Sequence, residues 1–127
     1  MQRLPKIIIS TIPHKKQRYP TAGDYFKKKG ELHITVSKMI PKHEFLVAIH
    51  EMIEWFLIEH RGITIDEIDR FDIEYENNRL KGDLSEPGDD PHAPYFKEHQ
   101  FATHIEKQIA RELGVNWEKY DREANSL

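Results

Sequence analysis

The sequence predicts an α+β fold in which a small N-terminal β-sheet is followed by three helices. Two short segments near the N-terminus have the residue pattern of strands, and three later segments carry helix start and stop signals. The 127 residues are 38% hydrophobic and 32% charged, which supplies enough apolar material for one modest core. We therefore expect a single domain over residues 1–127.

Two strands and an intervening loop are predicted before residue 40. Residues 6–12 (KIIISTI) resemble a short buried strand that ends at Pro13, and residues 14–30, with their proline and glycines, resemble a loop. Residues 31–37 (ELHITVS) alternate apolar and polar side chains, as in a half-buried strand. We expect its edge to be exposed, so that a second copy of the chain or an extended peptide could pair with it. The sequence leaves the oligomeric state open.

Three helices follow the strands. The first begins at Pro41 and ends near residue 61, because proline suits a first helical turn and Gly62 suits the position after a helix end. The second begins after Thr64, which is spaced to form a capping box with Glu67, and ends near residues 77–78.

The third helix follows a polar loop at residues 83–94 and extends over about residues 95–113. Gly114 occupies the position where glycine commonly ends a helix. A short tail containing Val115, Trp117 and Tyr120 is expected to pack back onto the rest of the domain.

Composition excludes several classes of function. The absence of cysteine excludes a disulfide scaffold, an iron–sulfur cluster, a thiol nucleophile and a cysteine-type zinc finger. No apolar run approaches the length of about 20 residues that spans a bilayer. The N-terminal apolar stretch is also too short and too polar for a signal peptide. The sequence therefore predicts a cytoplasmic protein without a membrane partner.

The charge distribution along the chain is uneven. Residues 1–43 contain ten Lys or Arg and two acids, whereas the remainder contains nine Lys or Arg and twenty acids. This pattern favours a basic surface segment packed on an acidic body. A nucleic-acid surface is the alternative, but Lys15, Lys16 and Arg18 lack the interleaved aromatic residues that stack on bases. The sequence thus argues against a nucleic-acid partner.

The first predicted helix carries the candidate chemistry. Residues 45–58 (FLVAIHEMIEWFLI) are apolar almost all round, as in a buried helix, and we expect Trp55 and Phe56 to belong to the core. His50, Glu51 and Glu54 break this pattern. With His50 at zero, Glu54 lies at about 40° and Glu51 at about 100° around the helix, so the three polar groups share one sector.

A divalent metal ion would compensate the burial of these charges, which would otherwise cost several kcal/mol. His50 and Glu54 are spaced i, i+4 and could bind one ion, while Glu51 is offset and could reach a water on it. The pattern is that of the HExxH metallopeptidase helix with glutamate in place of the second histidine. The alternative is a metal-free hydrogen-bond network among the same side chains.

A zinc site needs a third protein ligand, and the third predicted helix offers candidates. On a helical wheel His99 and Glu106 lie at the edge of its inward face, whereas His104 faces solvent. We therefore predict His99 as the ligand, with Glu106 either orienting it or replacing it. His92, in the preceding loop, could also swing in, whereas His60 lies too far along the first helix. Zinc is the expected ion, and another divalent cation is possible.

At HEMIE the sequence resembles the zincin superfamily, in which a strand precedes the active-site helix and a downstream helix supplies another ligand. Nearly the whole chain also resembles small proteins of phage and prophage origin that have no assigned activity. The matching stretches are TIPHKKQRYPTAGDYF, LHITVS, FLVAIHEMIEWFLIEHRGIT, IDRFDIEYE and EPGDDPHAPYFKEHQFATHIEKQIARELGVNWEKY. This resemblance implies a minimal zincin-like fold with a site at His50, Glu51, Glu54 and His99. Glu54 in place of histidine makes such a site harder and more anionic.

Two loops carry further candidate residues. Residues 14–25 (HKKQRYPTAGDY) favour a structured turn, and the functional alternative places His14, Arg18 or Asp24 at the rim of the site. Residues 86–91 (EPGDDP) favour a solvated loop in which Asp89 or Asp90 caps a turn, with a second cation site as the alternative.

The combined expectation is a zinc-dependent hydrolase, with a metallopeptidase as the favoured activity and a peptide or protein as substrate. His50, Glu54 and His99 would hold the ion, and Glu51 would be the catalytic general base. One alternative is a non-enzymatic binding protein that the metal stabilises. The other is a metal-free domain that binds nucleic acid through the basic N-terminal segment.

Overall fold

The computed structural model describes residues 3–127 and confirms the α+β class. Within that range a three-stranded sheet precedes four α-helices, so the predicted helix count of three is wrong. The strands are β1 (Ile7–Ile12), β2 (Gly23–Lys28) and β3 (Glu31–Ser37). The helices are α1 (Pro41–His60), α2 (Ile65–Asn77), α3 (Phe96–Glu112) and α4 (Trp117–Asn125).

The sheet has the order β1-β3-β2, with β1 parallel and β2 antiparallel to β3. The predicted exposed edge on residues 31–37 is therefore wrong, because β3 pairs on both sides. Strand β2 occupies a segment predicted to be a loop. Its pattern is concealed by Asp24, a buried carboxylate whose charge is paired with Arg18 at 2.7 Å. Strand β1 is an edge strand, not a buried one, and Ile9 is 49% exposed.

Helix α1 packs on the sheet and forms the centre of the core. Trp55 is 1% exposed, as predicted, and packs in one cluster with β3 residues such as Ile34. Phe56 is 42% exposed, so its predicted place in the core is wrong. Consecutive residues on a helix point about 100° apart, so when Trp55 points into the core, Phe56 points toward solvent.

The other helices contribute residues to the core in which α1 lies. Thr64 and Glu67 form the predicted capping box at the start of α2. Helix α3 packs against α1, and the predicted short tail forms a fourth helix, α4, whose N-cap Asn116 accepts a hydrogen bond from the Lys119 amide. Tyr120 of α4 is buried, so the tail packs back onto the domain as expected. None of the helices in residues 3–127 has the length and apolarity needed to cross a membrane.

Candidate metal centre

Three side chains from α1 and α3 converge in the interior. The Nε2 atom of His50 lies 3.0 Å from Oε2 of Glu54 and 3.1 Å from Nδ1 of His99. The distance from His99 Nδ1 to the same Glu54 oxygen is 2.9 Å. All three residues are buried. Two helices thus bring three potential ligand atoms into one small triangle.

The triangle fits a divalent cation better than a hydrogen-bond network. Oε2 of Glu54 can accept a hydrogen bond from each imidazole, but the two donor nitrogens then face each other at 3.1 Å with no acceptor between them. A cation equidistant from all three, at the roughly 2.0–2.2 Å typical of zinc with nitrogen and oxygen ligands, would serve them together. His50, Glu54 and His99 could therefore hold a metal ion.

The electrostatics of the triangle show where positive charge is favoured. Burial raises the pKa of Glu54, but hydrogen bonds with His50 and His99 outweigh it and lower the pKa to about 2. Burial lowers the pKa of His99, but the carboxylates of Asp89 and Glu54 outweigh it and raise the pKa to about 10. The pKa of His50 is likewise raised against burial, by Glu106 and Glu54. A bound cation would take the place of these imidazole protons.

A second layer of side chains fixes the candidate ligands. Glu106 of α3 lies with Oε1 2.7 Å from Nδ1 of His50, on the side of the ring away from the triangle. Tyr120 donates a hydrogen bond to the other oxygen of Glu106, and Tyr25 donates one of 2.8 Å to Oε1 of Glu54. Carboxylates behind ligating histidines set the tautomer and hold the ring in place. Glu106 therefore occupies the orienting position, behind His50 and not behind His99.

Glu51 lies beside the triangle and faces the adjoining cleft. Its carboxylate is half-buried and makes no side-chain hydrogen bond with residues 3–127. Burial and the charge of Glu54 raise its pKa well above the ordinary value. Gly23 of β2 packs directly on it, since a methyl group there would lie 2.6 Å from Glu51 Oε1 and 2.5 Å from Val47 Cγ1. The arrangement leaves one carboxylate free for proton transfer.

The cleft next to the triangle has a volume of about 530 Å³. It extends between β2, α2, the loop before α3 and α4. Its lining includes ten Asp or Glu side chains but one Arg and one Lys, so its surface attracts cations. His50, Glu51, Glu54 and His99 all contribute to the lining, which makes the triangle accessible from the cleft.

The loop before α3 covers the far side of His99. Gly88 packs against the imidazole, since a methyl group at this position would lie 2.5 Å from Cγ of His99. The Nε2 atom of His99 is 3.3 Å from Oδ1 of Asp89 but forms no hydrogen bond within residues 3–127. The carboxylate of Glu86, half-buried in the same loop, also makes no side-chain hydrogen bond there.

The remaining sequence candidates lie around or away from this site. His14 and Asp24 line the cleft. Arg18 forms ion pairs with Asp24 of β2 and Asp69 of α2 and so connects the two elements. His92 is exposed and hydrogen-bonds Asp90, so the structure does not bring it to the triangle. The residues placed outside the site also include His104, which faces solvent as predicted, and His60, at the end of α1.

Sequence reasoning missed several residues that shape the site. Tyr25 lies in a strand that was predicted as a loop, and Tyr120 appeared only as an apolar tail residue. Gly23 and Gly88 had signals in the stretches PTAGDY and EPGDDP, where glycine indicates a turn or a close approach. Their close approach to Glu51 and His99 becomes apparent only when distant segments are in contact. Glu86 had no signal beyond the acidity of its loop.

Comparisons of the chain with protein-family models, with curated proteins and with solved structures give no match. The resemblance to zincins and to phage-type proteins therefore stays a prediction. The geometry of the site is therefore the basis on which its function is inferred.

Proposed function

We propose that this chain is a zinc-dependent hydrolase that cleaves a peptide or protein substrate. One observation carries the proposal: the three ligand atoms of His50, Glu54 and His99 form a buried triangle directly beside the free carboxylate of Glu51. Zinc hydrolases combine three protein ligands with an adjacent general base. The acidic cleft gives a substrate access to both.

Zinc is the favoured ion because two imidazole nitrogens and one carboxylate oxygen match its preferred ligands. When bound, a zinc ion lowers the pKa of a coordinated water towards about 7 and polarises a carbonyl group. Glu106 and Tyr120 support the site by holding the His50 ring with its Nε2 atom toward Glu54. Other divalent cations accept the same ligands, so metal analysis is part of the test.

Glu51 is proposed as the general base. Its carboxylate would accept a proton from the attacking water and donate it to the leaving amine. The raised pKa of Glu51 favours this role, because a carboxylate of ordinary pKa binds a proton too weakly to pass it on near neutral pH. Gly23 restricts the carboxylate to the cleft side, because its backbone lies against the Glu51 side chain.

The test combines metal analysis with activity. Protein purified without a metal-affinity tag should contain at least one equivalent of zinc by plasma mass spectrometry, and His50→Ala and His99→Ala should reduce it. Glu51→Gln should keep the metal and lower cleavage of a fluorogenic peptide library by about 10²–10⁴-fold, the usual contribution of a general base. Glu59→Gln, on the exposed end of the same helix, is the matched control and should change neither. Loss of metal in Glu51→Gln would contradict the assigned role.

A metal-stabilised binding protein is the second candidate. The observation that favours it is that the three ligands join α1 and α3, two helices that pack together in the core. A structural ion there would hold the fold together, and its removal by a chelator would unfold the chain. A catalytic ion would instead leave most of the circular dichroism spectrum intact while activity is lost. No similar observation favours nucleic-acid binding, because Arg18 of the basic segment is paired with Asp24 and Asp69.

A further inference from the structure

We propose a second divalent-cation site formed by Glu86, Asp89 and Nε2 of His99, so that one imidazole joins two metal ions. One potential ligand atom from each of these residues lies within 4.8 Å of the others. The inference relies on the first metal centre of the proposed function, since His99 presents its Nδ1 atom there. It does not depend on the reaction that the first centre catalyses.

The first support is the unpartnered nitrogen of His99. The residue is 5% exposed, and its Nε2 atom has no hydrogen-bond partner within residues 3–127. A buried polar atom without a partner costs about 1–3 kcal/mol, so proteins rarely leave one. Oδ1 of Asp89 lies 3.3 Å from this atom, and a carboxylate oxygen of Glu86 lies within 4.8 Å of a ring nitrogen of the same histidine. A cation bound there would satisfy the nitrogen and both carboxylates together.

The second support is the packing on His99 of the loop that carries the two carboxylates. Pro87–Asp89 forms a 3-10 turn whose backbone lies across the imidazole, with Gly88 in contact with the ring. A methyl group at Gly88 would be 2.6 Å from Nδ1 of His99, so the packing requires glycine. Gln100 donates a 2.9 Å hydrogen bond to Asp89 and holds that carboxylate near α3. The ring is thus fixed with one nitrogen toward each proposed ion.

The third support is the local excess of negative charge. Five carboxylates surround the two histidines, and no Lys or Arg within residues 3–127 forms an ion pair with any of them. The five are Glu51, Glu54, Glu86, Asp89 and Glu106. One divalent ion with neutral imidazoles would balance two of the five carboxylates. A second divalent ion reduces the excess, even after the imidazole gives up its remaining N–H proton.

Binding of the second ion is a proton exchange at His99. Nε2 would first lose its proton to water and would then bind the cation through the lone pair that this frees, while Glu86 and Asp89 would each add one metal–oxygen bond. A set of one imidazole and two carboxylates suits zinc or manganese. A simpler role for Asp89, as hydrogen-bond acceptor for His99, would account for neither the missing hydrogen bond nor the unpartnered Glu86.

Native mass spectrometry of metal-stripped protein titrated with zinc tests the proposal. The wild type should bind two zinc ions, and the double variant Glu86→Gln/Asp89→Asn should bind one. His50→Ala should also bind one, because it damages only the first centre. The matched control is Asp90→Asn, in the same loop, whose carboxylate faces His92; it should retain two ions. Circular dichroism of each variant checks that it is folded.

Copper provides an independent readout of the shared imidazole. The electron paramagnetic resonance signal of Cu²⁺ should grow up to one equivalent and then weaken as a second ion couples to the first through His99. A wild type that binds one zinc ion, with the double variant unchanged, would overturn the second site and leave the first intact. A wild type that binds none would overturn both. Two ions that persist in the double variant would place the second ion elsewhere.

Discussion

Two buried carboxylates, Glu54 and Asp72, border the same cleft, and their pKa values are shifted in opposite directions. Glu54 of α1 is 4% exposed and Asp72 of α2 is 6% exposed. Each accepts tyrosine hydrogen bonds: Glu54 from Tyr25, and Asp72 from Tyr19 and Tyr95. Yet burial raises the pKa of Asp72 to about 7, whereas the pKa of Glu54 is lowered to about 2 against the effect of burial.

The two imidazoles beside Glu54 account for the contrast. Hydroxyl donors lower the pKa of Asp72 but do not outweigh its desolvation, whereas charged His50 and His99 more than outweigh that of Glu54. Burial and hydrogen bonding alone therefore do not produce a permanently ionised carboxylate in this fold. Within residues 3–127 the paired imidazoles lie beside Glu54 and not beside Asp72, so the Glu54 side of the cleft is the one that could hold a metal ion.

The largest expected effect comes from Glu54→Gln. In metal-stripped protein the substitution leaves two buried imidazoles without their shared counter-charge, and we expect a loss of about 3–5 kcal/mol in the free energy of unfolding. Urea denaturation monitored by fluorescence measures it. Asp72→Asn in the same assay should have a clearly smaller effect, because no Lys, Arg or His of residues 3–127 forms an ion pair with that carboxylate. Equal losses of stability in the two variants would contradict the inference that the imidazoles distinguish Glu54 from Asp72.

The sequence predicts the Glu54 side of the cleft better than the Asp72 side. Glu54 interrupts an apolar helix, so helical spacing alone links it with His50. Asp72 lies in IDEIDRFDIEYEN, where it resembles the exposed acids around it. A local signal, the capping box of Thr64 and Glu67, was also sufficient to predict where α2 begins. The contacts that decide the site join residues 29 to 56 positions apart, as with Tyr25 and Glu54 or His50 and Glu106, and no local pattern encodes them.

Strand β2 illustrates the same limit within the fold. Its segment contains a turn-forming glycine, a carboxylate and two lysines, which locally favour a loop. It becomes a strand because β3 offers a free side for pairing and Arg18 pairs with Asp24. Tertiary contacts override local propensity here, and with them Tyr25 reaches Glu54.

A second, smaller effect tests whether the negative charge of Glu106, behind the His50 ring, strengthens metal binding by that histidine. Glu106→Gln keeps a hydrogen-bond acceptor near His50 Nδ1 but removes the negative charge behind the ring. We expect zinc affinity to fall about 10–100-fold, as for other carboxylates behind a ligating histidine. Competition with a chromophoric chelator measures the affinity. Glu98→Gln is the matched control, since Glu98 is equally buried in α3 but pairs with Arg61. The same loss in both variants would assign the effect to packing of α3.

The smallest expected effect is the pH dependence that Asp72 alone contributes. Its pKa is about 7 in the folded protein and near its ordinary value of 3.8 in the unfolded chain, so the folded state holds the proton more tightly. Between those two values the unfolded state binds fewer protons, and stability falls as pH rises. This contribution is fully present below about pH 4 and is lost by about pH 8.

Asp72→Asn removes that titration and leaves the position neutral at every pH. From pH 6 to pH 8 the free energy of unfolding should therefore shift in favour of the variant, relative to wild type, by about 1 kcal/mol. Urea denaturation of metal-stripped protein at the two pH values measures the shift, and Asp66→Asn, at an exposed carboxylate of the same helix, should show none. A constant difference between Asp72→Asn and wild type would mean that Tyr19 and Tyr95 suffice to keep Asp72 ionised. Hydroxyl donors would then keep a buried carboxylate ionised as well as imidazoles do. The contrast between Glu54 and Asp72 would lose its physical basis.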